Sequence, residues 1–161
     1  MDLWMLVLWV HLLAVIAWVG GMIFLTVVLV PVERGIKDQR LRYDLLNKVG
    51  RRFKYLGWGC IVILLITGTF NAIQKIGSSD VLFHTGYGKT FLLKLFLVAI
   101  IIILSAIHDF YLGPRLVYNA KAENKPTHVL TSILIVLARG NLLLGLAVIF
   151  LGLSLRWGGI F

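Results

Sequence analysis

Cysteine, methionine, proline and acidic residues are all scarce in this sequence. The single cysteine, Cys60, excludes a disulfide within the chain and any metal centre built on several cysteines. Three methionines, Met1, Met5 and Met22, with no closely spaced Met or His group, give thin support to a dedicated copper pathway, because Cu(I) prefers thiolate and thioether ligands. Only seven Asp and Glu stand against sixteen Lys and Arg. The resulting net charge of +9 would suggest a nucleic-acid partner in a soluble chain, but no nucleic-acid motif accompanies it. Its positive charges fall between apolar runs, where they serve topology and anionic headgroups, so no nucleic acid is expected.

What is abundant is hydrocarbon. Apolar residues make up 60% of the chain and mean hydropathy is +0.94, with the apolar residues in blocks rather than at a 3.6-residue period. The first block is too long for a signal peptide and has no basic residues before it or small-residue cleavage site after it. The expected fold is therefore all-α, a single transmembrane domain over residues 1–161 forming a four-helix bundle in a lipid bilayer. The patterns place helices over about 3–30, 56–73, 89–111 and 128–155, the first and third ending at Pro31 and at Gly113-Pro114. Leu41, Leu45, Val49 and Phe53 recur every fourth residue and predict an amphipathic cytoplasmic extension over 38–55. Lys and Arg crowd the first and third connections, which predicts a prokaryotic-type inner-membrane protein with both termini outside.

Against this background the buried polar residues stand out, since each is costly in hydrocarbon unless something binds it. His11 lies inside the first span, on one stripe with Trp4, Val15, Trp18, Met22 and Leu25. Asn71 shares a face of the second span with Cys60, Leu64, Thr67 and Gly68. Lys94 and His108 share a stripe of the third with Ser105, fourteen residues apart and so about 21 Å along the axis. Arg139 and Asn141 enter from the fourth span, and Asp109 with Arg139 forms a natural charge pair across helices. Imidazole is a common haem and metal ligand, while Lys94 and Arg139 suit a propionate. His11 and His108 are therefore candidate metal ligands, and Lys94, Arg139 and Asn71 candidate cofactor contacts. The two imidazoles stand at different depths and should not share one ion. His84 and His128, at loop edges, are weaker candidates.

The segments HLLAVIAWVGGMIF, GRRFKYLGWGCIVILLITGTFNA, TGYGKTFLLKL and ARGNLLLGLAVIFLG resemble the CopD-like membrane proteins, associated with copper resistance or import. The first-span histidine followed by Trp-Val-Gly-Gly, together with the third-span lysine, is also similar to the HemJ-type protoporphyrinogen oxidases, which bind haem b. The HemJ likeness implies His11 and Lys94 as essential residues; the CopD likeness implies His11 and the region around Lys89. The resulting expectation is a haem b-binding redox protein, an oxidoreductase or electron carrier acting on a porphyrin- or quinone-like donor. A CopD-like copper permease is the alternative. A third reading is an accessory subunit of a respiratory complex, and a homo-oligomer or a larger membrane complex is compatible with all three.

Overall fold

The computed structural model describes residues 2–76, 79–121 and 128–161. Among them there is no strand, and four helical segments are long and apolar enough to cross a membrane: Leu3–Arg34, Asp44–Lys75, Gly86–Leu116 and Val129–Trp157. Their apolar windows have mean hydropathies of 2.6, 1.9, 2.8 and 2.3, and no more than 22% of any window is buried inside the protein. Leu13, Ile16, Val136 and Leu143, all over half exposed, face outward as a bilayer-embedded surface requires.

The helices are longer than the sequence pattern predicts. We number them α1 (Leu3–Arg34), α2 (Gln39–Lys75), the short α3 (Ser79–His84), α4 (86–121) and α5 (His128–Ser154). Pro31 does not end α1, and Gly113-Pro114 does not end α4. Each proline follows a wide, π-type turn, Leu25–Leu29 in α1 and Ile107–Leu112 in α4, after which the helix resumes. A proline lacks its N–H and its ring presses on the carbonyl four residues back; a wide turn opens that spacing and removes the clash. In α1 the Thr26 hydroxyl also donates to the Met22 carbonyl at 2.8 Å. The predicted extension over 38–55 and the second span form one continuous helix of 37 residues, about 55 Å long. The loop before α4 contains α3, and residues 122–127 of the third connection lie outside the described residues.

Ala14, Trp18, Val19 and Met22 of α1, Cys60 and Ile61 of α2, and Ile101 of α4 form the core. Small residues admit this packing. Gly21 faces the Phe53 ring, and a Cβ on Gly145 of α5 would stand 3.6 Å from both Met22 and Val19. Gly20, in contrast, faces open space.

Both termini lie at one end of the bundle, called here the terminal end; the Arg- and Lys-rich α1–α2 corner lies at the other, the basic end. At the terminal end Gly158 and Gly159, with φ of 94° and 105°, reverse the chain so that the Ile160 N–H donates to Thr90 Oγ1 at 2.9 Å. Thr85 caps α4, its hydroxyl oxygen accepting the Gly88 N–H at 3.1 Å. The α3–α4 corner closes so tightly that a Cβ on Gly88 would fall into the carbonyls of Val81 and Leu82. Gly88→Ala is therefore expected to cost about 1–3 kcal/mol, read as a lowered unfolding temperature in detergent, whereas Gly20→Ala leaves it unchanged or raised.

Candidate functional site

Polar residues gather at two levels. The level nearer the terminal end is built from all four spans. His11 of α1 is eight residues past Leu3, about 12 Å into the bundle. Its Nδ1 lies 2.7 Å from the Thr67 hydroxyl of α2, and that hydroxyl lies 2.6 Å from the Ile63 carbonyl. A carbonyl only accepts, so the single Thr67 proton goes to Ile63. The His11 Nδ1–H must then donate to Thr67 Oγ1, which leaves Nε2 with a free lone pair, the form of imidazole that binds metals. Gly68 makes room for the ring: a Cβ there would stand 3.6 Å from His11 Cε1. One turn along α2, Asn71 Oδ1 is buried with no hydrogen-bond partner among the described residues. Lys94 of α4 turns inward, its Nζ 3.5 Å from where a Gly152 Cβ would lie, and its charge reaches His11.

The second level surrounds a cavity of about 110 Å³ toward the basic end, lined by Met22, Ser105, His108, Asp109 and Asn141 among others. The wide turn Ile107–Leu112 carries both His108 and Asp109 and presents them to α2. The His108 Nδ1–H donates to Asp109 Oδ1 at 2.8 Å, and the Trp58 indole N–H donates to Asp109 Oδ2 at 3.0 Å. The Lys54 ammonium donates to the Asp109 carbonyl at 3.2 Å and sits 3.8 Å over the Phe110 ring. With Nδ1–H committed to the carboxylate, the lone pair of the neutral ring lies on Nε2, as at His11. A carboxylate on the far ring nitrogen is the usual support of a ligating histidine. Asn141 donates to Ser105 Oγ at 2.8 Å, but its own Oδ1 is buried without a partner among the described residues. Leaving such an oxygen unmatched costs about 1–3 kcal/mol.

These placements correct one expected pairing. Asp109 does not pair with Arg139: its oxygens are taken by His108 and Trp58, and Arg139 is exposed, with no ion pair among the described residues. His84 is exposed, and the side chain of His128 lies outside the described residues. Thr67, Trp58 and Lys54 were not legible as supports, because only the helix crossings bring them to the two histidines. Glu33, which lies past the predicted end of the first helix at Pro31, is 3% exposed and bonded to Arg42 through both carboxylate oxygens.

Fold and site together define a polytopic membrane protein whose helices hold two histidines at separate depths, each oriented by a hydrogen bond at Nδ1. The family model for copper resistance protein D matches residues 47–155, and the chain belongs to that family. An uncharacterized protein from Aquifex aeolicus (strain VF5) is 30% identical over 95% of each chain. The copper transport protein CutJ of Bacillus subtilis (strain 168) is 35% identical over 98 residues, 61% of this chain but 17% of CutJ. No solved structure matches.

The family found is thus the copper one, and nothing in these comparisons supports the haem b expectation or the HemJ likeness. The cavity beside His108 also falls below the roughly 300 Å³ at which small-molecule pockets begin, too small for a macrocycle. Among the described residues no three His, Cys, Asp or Glu side chains cluster to hold a metal tightly.

Proposed function

We propose that this protein moves copper through the bilayer as a permease, with copper as its cargo. The observation that carries the reading is the Ile63–Thr67–His11 chain of hydrogen bonds, which fixes the imidazole with Nε2 unprotonated inside a transmembrane bundle. An orienting hydrogen bond and a glycine-cut recess are more than a packing histidine requires, and imidazole is a good copper ligand. The family and the CutJ relative support copper as the ion. The excess of Lys and Arg at the α1–α2 corner supports a cytoplasmic basic end, so that His11 stands in the half of the bilayer facing outward.

Lys94 and Asn71 extend this level. The Asn71 oxygen has no competing donor among the described residues and is available to an entering cation. Lys94 brings its amine to the same level, where its protonated form would repel a bound cation and keep it from resting too tightly at His11.

The test uses the full chain reconstituted into liposomes enclosing a copper(I)-sensitive dye. Cu(I) added outside under anaerobic conditions should enter faster than into protein-free vesicles, and His11→Ala should slow that entry at least tenfold. Entry that is no faster than in empty vesicles, or that is indifferent to His11→Ala, would refute the reading.

A further inference from the structure

A cavity of about 110 Å³ lies toward the basic end. From its residues we infer that it is a second copper site, specific for the cuprous ion, in which the Met22 thioether and His108 Nε2 are the donors and the Asn141 amide oxygen faces the ion. The inference rests on the copper reading above and adds a site, its ligands and an oxidation state to it.

Three independent features meet there. Among the described residues Met22 is the only methionine buried in the core; it lines the cavity, and its terminal methyl is directed to α5 beside Gly145, one turn from Asn141. A thioether is a soft donor that selects Cu(I) over harder divalent ions. His108 lines the same cavity with its Nδ1–H committed to the Asp109 carboxylate, so only Nε2 is offered to a ligand. Asn141 is more than nine-tenths buried, is held by its amide nitrogen on Ser105, and presents an oxygen with no partner among the described residues. One sulfur and one imidazole nitrogen form a soft, low-coordinate pair, while a carbonyl dipole favours positive charge in a low-dielectric interior. Asp109 supplies the counter-charge without being a ligand, because both its oxygens are already engaged. Met22 lies eleven residues beyond His11, about 16 Å deeper, so the two sites are distinct and an ion could occupy each in turn.

The test is anaerobic titration of the full chain in detergent with Cu(I), competed against a chromophoric cuprous chelator, in a Cys60→Ala background. Two equivalents of Cu(I) are expected per chain. Met22→Leu, which nearly conserves volume, and His108→Gln should each remove one equivalent and leave the other, the one that His11→Ala removes. The surviving His11 equivalent shows that the variants have folded. X-ray absorption at the copper edge should show a sulfur neighbour that is absent in Met22→Leu. A single equivalent lost with His11→Ala and indifferent to Met22→Leu and His108→Gln would overturn the inner site and leave the copper reading standing. No bound Cu(I) in any form would overturn both. Should Met22→Leu lose both equivalents, the absorption spectrum of the parent decides: a sulfur neighbour supports the site and its absence overturns it.

Discussion

Thr67→Val should weaken Cu(I) binding at the His11 level by about 10–100-fold, with Thr67→Ser staying close to the parent. The hydroxyl does two things at once. It discharges its proton onto the Ile63 carbonyl and accepts the His11 Nδ1–H, so a single oxygen selects both the tautomer and the angle of the ring. Valine keeps the shape but removes the acceptor. The buried Nδ1 then lacks its partner, and the imidazole is free to rotate or to carry its proton on Nε2, where the lone pair is needed. Serine restores the oxygen on the same backbone, and its only loss is a methyl group. Chelator competition in detergent measures the difference. Equal affinities for valine and serine would mean that Thr67 packs against His11 without orienting it. A loss shared by both variants would point instead to the methyl group.

Arg42→Met should destabilise the protein by about 3 kcal/mol, the lower end of the range for breaking a buried ion pair. Glu33 is 3% exposed, and Arg42 binds both its oxygens, Nε to Oε2 and Nη2 to Oε1, the latter at 3.0 Å. Methionine in place of arginine strands a buried carboxylate at the corner where α1 meets α2. Because the Arg42 side chain is itself 34% exposed, water softens the penalty. The double variant Glu33→Leu/Arg42→Met should recover most of the loss, because removing both charges removes the desolvation cost along with the attraction. Denaturation in mixed micelles provides the comparison. A double variant as unstable as Arg42→Met would show that the corner needs the arginine for packing rather than for charge.

The helix positions were legible because a spanning segment must satisfy its own backbone and hide its polar side chains, and both demands write long apolar runs. The helix ends were not. Pro31 and Pro114 read as stops, since a proline removes a hydrogen bond in any regular helix; only the wide turns before them, set by packing, let the chain continue. The stripe through His11, Trp18 and Met22 was legible from the 3.6-residue repeat, and its buried members are those the repeat selects, although Trp4 at its start is exposed.

By itself, then, the sequence determined an all-helical membrane protein, the two histidines that merit attention and their separate depths, because hydropathy and helical rise are properties of single helices. Tertiary structure decided everything that involves two. It gave His11 its Thr67 and His108 its Asp109 and Trp58, turned Asp109 away from Arg139, and gathered Cys60 and Met22, 38 residues apart in the chain, into one core. The scarcity of soft ligands along the chain concealed a cavity where one thioether and one imidazole share a wall. A ligand set is a relation between helices, and their crossings, fixed by glycines and wide turns, establish it.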